Sequence, residues 1–216
     1  MGNDGERDRA DDDWLLRGSA DVDEITQYYD DWAERYDGDL DEWSYEAPDT
    51  ASRMLLAHGA GDRVLDAGCG TGLVGRALRR GGYDGRLVGV DVSAASLEQA
   101  TETGVYTSVQ VGDLQRPLEF DDDAFSGLIC VGVMTYVPEV DAAWREFARV
   151  VAPGGVVVVT QREDLWDERG CRSVVDAMAA AGVWTPIEVT DALPYLPGND
   201  RYADQIGVHY VVARVS

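Results

Sequence analysis

The sequence contains no lysine. All 18 of its basic residues are arginine, set against 41 aspartates and glutamates. Cysteine is scarce, with Cys69, Cys130 and Cys171 alone, and histidine is limited to His58 and His209. Three cysteines form neither an even disulfide set nor a metal-ligand spacing, so no metal site is expected. No apolar run approaches the roughly 18 residues that a membrane helix requires; runs such as Val156 to Val159 are strand-sized. The opening stretch, Met1 to Arg7, is acidic and lacks the apolar segment of a secretory signal. These absences point to a reducing, cytoplasmic setting with no membrane partner.

Negative charge is what the chain has in excess. The net is −23. The first 46 residues hold 17 acids and 4 arginines, a net of −13, and the remaining 170 carry −10. Such a surface repels phosphate backbones, so no nucleic-acid partner is expected. Two origins fit the acidity. One is a halophilic cytoplasm, where molar salt shortens the Debye length to about 3 Å. The other is a GC-rich genome, which favours arginine over lysine. The 216 residues suffice for one domain with a full core, and 45% hydrophobic with 27% charged residues is a globular balance.

Residues 1–20 read as an acidic flexible tail, although Trp14 to Leu16 offers an apolar contact. From Asp23 to Asp37, Ile25, Tyr28, Tyr29, Trp32 and Tyr36 recur at helical spacing. A second helix is predicted from Tyr45 to His58, with Pro48 in its first turn. Strands are then expected at Arg63–Asp66, Arg86–Asp91, Val105–Val111, Ala124–Val131 and Val156–Thr160. Between them come helices from Gly72 to Arg80, from a Ser93 cap to Thr103, and from Glu139 to Val151. A helix over Glu168–Ala181 precedes two final strands, Val183–Val189 and Ile206–Val215. With no helix between these two, they pair antiparallel. Repeated strand–helix units ending in a hairpin mean an α/β sandwich, with ligands at the carboxyl ends of the strands.

Val64 to Gly72 is the central feature. Gly68, Gly70 and Gly72 alternate after the strand, where the backbone must turn sharply and approach a ligand. Gly70, Gly72 and Gly75, with Asp91 further on, also match the dinucleotide fingerprint G-x-G-x-x-G. Asp66 argues against that match, because it would place a carboxylate against a pyrophosphate. The loop suits a ligand with a cationic end.

At Asp66 to Gly72 the chain resembles the class I S-adenosylmethionine-dependent methyltransferases, whose first motif is an acid followed by G-x-G-x-G. The resemblance continues through Gly89 to Ser93, Gly112 to Leu114 and Val151 to Gly155. Tyr28 to Asp37 resembles the opening of the type 11 enzymes. Val131 to Tyr136, Thr160 to Arg162 and Ala181 to Trp184 resemble the methyltransferase-like subfamily named after the Williams-Beuren syndrome region. The resemblance implies a Rossmann-like three-layer sandwich with a seven-stranded, mostly parallel sheet of order 3-2-1-4-5-7-6 and an antiparallel last strand. It implies a single domain over residues 21–216, with residues 21–60 as a helical lid.

The implied cofactor is S-adenosylmethionine, leaving as S-adenosylhomocysteine. Asp66, Gly68, Cys69, Gly70 and Gly72 would form its loop. Asp91 would accept from the ribose hydroxyls and Val92 would pack on the adenine. Asp113 would receive the adenine amino group, beside the Leu114 amide. Cys130 and Val131, in the segment ending the fourth strand, would lie beneath the methyl group. Tyr29 and Tyr36 would reach the cofactor from the lid.

For the acceptor pocket, the candidates are Trp32, Met134, Tyr136, Arg162 and His209. Arg162 suits an anionic acceptor; His209 is either a base or a satisfied core histidine. Methyl transfer asks the protein mainly to position and desolvate, and it needs a general base only if the acceptor must lose a proton. The Asn/Asp-Pro-Pro-aromatic element of nucleic-acid amino-methyltransferases is missing at Val131 to Met134, and no acid cluster for a metal-dependent catechol reaction stands out. What remains is methylation of a small molecule or, as the second choice, of a protein side chain. A non-catalytic cofactor-binding module, a fold recruited to another reaction, and a nicotinamide-dependent oxidoreductase are the alternatives. Turnover to S-adenosylhomocysteine separates the first reading from the binding module, and nicotinamide binding would reveal the last.

Overall fold

A computed structural model of the chain describes residues 18–199, 203 and 205–216. Residues 1–17, which hold most of the expected acidic tail and Trp14 to Leu16, lie outside the described residues. Helix α1 spans Val22–Glu42 and starts at Asp21, whose carboxylate accepts the amides of Asp23 (3.0 Å) and Glu24 (3.2 Å). Helix α2, Ala47–His58, follows with Pro48 in its first turn. The alternating part then runs β1 (Arg63–Ala67), α3 (Leu73–Arg80), β2 (Arg86–Asp91), α4 (Ala94–Glu102), β3 (Ser108–Val111) and β4 (Phe125–Cys130). After it come α5 (Val140–Val150), β5 (Val151–Arg162), α6 (Glu163–Glu168), α7 (Cys171–Ala180), β6 (Trp184–Val189), β7 (Leu193–Pro194) and β8 (Gly207–Val215).

The sheet order is β3-β2-β1-β4-β5-β8-β6, with β7 on β8. Strand β8 runs antiparallel between β5 and β6, while β1 to β5 are parallel. This is the α/β, Rossmann-like three-layer sandwich that the residues imply. One correction concerns strand count: among the described residues there are eight strands, because Leu193 and Pro194 pair with Val208 and Gly207 within the expected loop. A proline is tolerated there because a two-residue edge pairing needs few donors.

Side-chain alternation along the strands builds two cores. Val64, Ile129, Val156, Val158 and Val212 face one side, against α2 and α3. Leu65, Leu128, Val157, Val159 and Val211 face the other, with Trp144 and Phe147 of α5 and Val175 and Met178 of α7. Helix α2, inside the segment expected as a lid, belongs to the packed layer: Ala51 and Leu55 are wholly buried in it. Helix α1 lies across the carboxyl ends instead. It contacts Tyr136 and Val92 through Ile25, and Leu196 and Ile206 through Leu40.

Several element bounds moved, and α1 runs on to Glu42, five residues past the expected Asp37. Strand β5 starts at Val151, because Val151 pairs with Phe125 and the ladder resumes at Gly127–Val156; Pro153 to Gly155 is an irregularity inside the strand. Strand β3 starts late because Tyr106 leaves the edge to reach beneath the glycine loop. The expected helix from Glu168 begins later, at Cys171, and a separate short helix, Glu163–Glu168, precedes it across Arg169 and Gly170. Among the described residues, no helix is long and apolar enough to cross a membrane.

Phe147 is wholly buried between α5 and the sheet. Phe147→Ala is expected to cost about 3–5 kcal/mol, seen in urea unfolding as a lower midpoint at unchanged m. A loss below about 1 kcal/mol would show that this core face does not carry the fold.

Candidate active site

The site grows out of the carboxyl ends of β1, β2 and β4. After β1 the chain folds back on β2: Gly68 and Cys69 donate their amides to Val90 O at 2.8 and 3.0 Å. Gly68 has φ +78°, and a Cβ there would sit 2.2 Å from Val133, so glycine is required. The Gly70 amide donates to Asp91 Oδ2 at 2.8 Å, and the Ser93 amide donates to Asp91 Oδ1 at 3.0 Å. Ser93 in turn caps α4. One carboxylate thus fixes the glycine loop to the start of α4. Burial pushes its pKa up, and the Ser93 and Gly70 amides oppose the shift.

Asp66 is completely buried beneath the loop. Tyr106 Oη donates to its Oδ2 at 2.6 Å, while Oδ1 has no partner. Burial pushes Asp66 from its ordinary 3.8 up to about 7; the Tyr106 bond pulls down and the nearby Asp91 charge pushes up further. Gly75, the last glycine of the dinucleotide pattern, has a packing reason: a Cβ there would lie 2.6 Å from Tyr106.

A cavity holding about 700 Å³ of empty space opens above the loop. Gly68, Gly70 and Thr71 border it on one side, and Asp91, Val92 and Ser96 on another. Gly112 to Gln115 and Val131 to Val133 continue the wall, with Tyr136 and Val137. Val22, Ile25, Tyr29 and Tyr36 of α1 complete the lining. None of these lining residues is arginine or histidine, and Asp91 and Asp113 are both acids. This chemistry suits a ligand with hydroxyl and cationic donors. A pyrophosphate would find two carboxylates and no counter-charge.

Helix α1 is tied down by its own acids. Asp30 Oδ1 accepts from Ser93 Oγ (2.5 Å) and the Ala95 amide (3.3 Å), at the start of α4. Asp37 accepts from Thr71 Oγ1 (2.5 Å) and pairs with Arg76, at the start of α3. Both carboxylates sit at positive helix ends.

A second cavity, about 470 Å³ of empty space, shares Tyr29, Tyr36, Gly132 and Tyr136 with the first. Tyr29 Oη donates to Tyr136 Oη at 2.9 Å on that common wall. Trp32, Tyr45, Arg162 and Tyr195 line the remainder, with Leu40, Leu196 and Ile206. Tyr45 and Tyr195 are hydrogen-bonded, with rings 5.3 Å apart edge to face.

The sequence candidates therefore divide. Gly68, Gly70, Asp91, Val92, Asp113, Leu114, Val131, Tyr29 and Tyr36 gather around the first cavity. Asp66, Cys69, Gly72 and Cys130 do not line it. Cys69 packs on Leu97 and Ala100, Gly72 backs onto Tyr106, and Cys130 belongs to the main core. Trp32, Tyr136 and Arg162 meet at the second cavity, while two candidates line neither. Met134 is 1% exposed in the core because its short 3-10 turn faces inward. His209 stacks on Trp166 at 4.5 Å, with Nδ1 against Thr190 O at 2.9 Å, the satisfied arrangement. Tyr45 and Tyr195 were missed, since the two tyrosines stand 150 positions apart and no local pattern marks them.

Comparison with known proteins adds family information. Residues 64–155 match the model described as a methyltransferase domain. The chain is 31% identical over 175 residues to human Methyltransferase-like protein 27, covering 77% of this chain and 71% of that protein. It is 33% identical over 102 residues to the Ubiquinone biosynthesis O-methyltransferase of Alkalilimnicola ehrlichii, covering 45% of this chain and 40% of that one. A solved chain from the complex of the Haloferax volcanii Trm112 methyltransferase activator with a methyltransferase shares the fold. Its TM-score is 0.68 at 20% identity, over 88% of this chain and 97% of that one.

Between its unfolded value and about 7, Asp66 binds more protons folded than unfolded. Its contribution to stability therefore falls as pH rises through that window. Asp66→Asn is expected to remove a slope of at most about 1.4 kcal/mol per pH unit. Urea unfolding of both ligand-free proteins at about pH 5 and about pH 8 tests this, with the variant gaining on wild type at the higher pH. An unchanged difference between the two would exclude a neutral, buried Asp66.

Proposed function

The chain belongs to the class I S-adenosylmethionine-dependent methyltransferases, and from that premise we propose that it methylates a small molecule. S-adenosylmethionine is its cofactor. The observation that carries the acceptor reading is the second cavity: a recess with an aromatic wall that abuts the first across Tyr29 and Tyr136. The absence of lysine and the net charge of −23 disfavour a nucleic-acid acceptor. Identity to human Methyltransferase-like protein 27 supports a place in the subfamily named after the Williams-Beuren syndrome region. The same composition supports a cytoplasmic, saline setting.

We assign the cofactor to the first cavity. When bound, S-adenosylmethionine supplies a methyl group activated on a sulfonium. Asp91 already accepts two amides, and its remaining lone pairs are available to the ribose hydroxyls. Asp113 and the Leu114 amide take the adenine edge, with Val92 against the ring face. Asp66 holds Tyr106 beneath the glycine loop without lining the cofactor cavity. Helix α1, held by Asp30 and Asp37, acts as the lid, excluding water and aligning the two cavities.

Calorimetric titration with S-adenosylhomocysteine and NAD tests the assignment. Asp91→Ala is expected to weaken S-adenosylhomocysteine by about 10- to 100-fold, the worth of charge-assisted hydrogen bonds, and NAD is expected to give no heat. Binding of NAD without S-adenosylhomocysteine would overturn the reading.

A further inference from the structure

Resting on the first cavity as the cofactor site, we propose that Tyr106 is a positioning residue for cofactor binding. It stands outside the lining of both cavities and props the glycine loop from below. Its main chain is fixed on both sides. Arg79 of α3 donates to Val105 O at 2.8 and 3.2 Å, and the Thr107 amide donates to Leu87 O of β2 at 2.7 Å. The ring packs with Cys69, Leu97 and Ala100. The room it occupies is left by three glycines. A Cβ would stand 3.1 Å from the ring at Gly72, 2.6 Å at Gly75 and 3.2 Å at Gly89. Gly72 ends the loop, Gly75 lies in the first turn of α3, and Gly89 is the register partner of Asp66 on β2.

The hydroxyl completes the prop. It donates to Asp66 Oδ2 at 2.6 Å, and the Gly75 amide faces the same oxygen. That amide belongs to the helix turn whose N–H groups have no partner within the helix. Tyr106 thus joins the end of β1 to the start of α3 beneath the loop that connects them. Asp91 grips the loop from the cavity side through the Gly70 amide. The loop is held between a carboxylate above and a phenol below, so the shape it offers the cofactor depends on both. Removing the hydroxyl leaves the buried Asp66 carboxyl without a donor on either oxygen, since Oδ1 already has none. An unpaired buried group of this kind is relieved by movement of the chain around it, and here that chain is the cofactor loop.

The test uses full-length protein, calorimetric titration with S-adenosylhomocysteine, and proton NMR of the free and saturated protein. Tyr106→Phe keeps the ring and is expected to weaken S-adenosylhomocysteine by about three- to tenfold. Gly75→Ala favours the helix by itself, yet is expected to weaken binding by a similar factor, because its Cβ displaces the phenol. Phe147→Leu, a core change far from the loop, is expected to stay within about twofold of wild type. The wild-type spectrum is expected to show a downfield, slowly exchanging hydroxyl proton that is absent from Tyr106→Phe and moves when S-adenosylhomocysteine binds. A phenol with a structural role alone would leave that resonance in place. Should Tyr106→Phe fold poorly, Gly75→Ala and the wild-type resonance decide. Affinity within about twofold of wild type in Tyr106→Phe or Gly75→Ala, an equal loss in Phe147→Leu, or a resonance indifferent to the ligand would overturn the proposal. Failure of the wild type to bind S-adenosylhomocysteine would strike at the cofactor reading beneath it.

Discussion

The carboxylate of Asp91 holds the site together. It accepts the Gly70 amide from the loop after β1 and the Ser93 amide at the start of α4. Two strands, a loop and a helix end thereby take fixed positions around one half-buried carboxylate. Burial resists its ionisation and the two amides favour it. Asp66, under the same loop, lacks amide donors and has one phenol, so its pKa rises to about 7. Two aspartates that meet the same glycine loop thus behave differently because their donors differ.

The acidity of the chain meets a local use in α1. Its aspartates face the starts of α3 and α4, where helix dipoles and unpaired amides favour anions. Asp37 adds an ion pair with Arg76, and Trp32 donates to Asp39 at 2.6 Å within the helix. An otherwise self-repelling segment is thereby held over the strand ends. Its aromatic face points inward, where Trp32 and Tyr36 meet edge to face at 4.7 Å.

The two cavities differ in the charged groups on their walls. Among the described residues, Asp91 and Asp113 border the first, and Arg162, paired with Asp164, borders the second. Tyr29 and Tyr136 separate them, hydrogen-bonded to each other and apolar on their ring faces.

The sequence by itself determined the order of strands and helices and the position of the glycine loop. It also determined the carboxylates at the strand ends, because hydrophobic periodicity and turn chemistry act over a few residues. Asp66, Asp91 and Asp113 were legible for that reason. Tertiary structure alone decided which of them meet a ligand cavity. Asp66 is capped by Tyr106 from a different strand connection, and Met134 turns into the core. The pairing of Tyr45 with Tyr195, and of Arg162 with both the cavity and Asp164, likewise depends on β8 folding back between β5 and β6. Such contacts join residues far apart in the chain, and no local pattern encodes them.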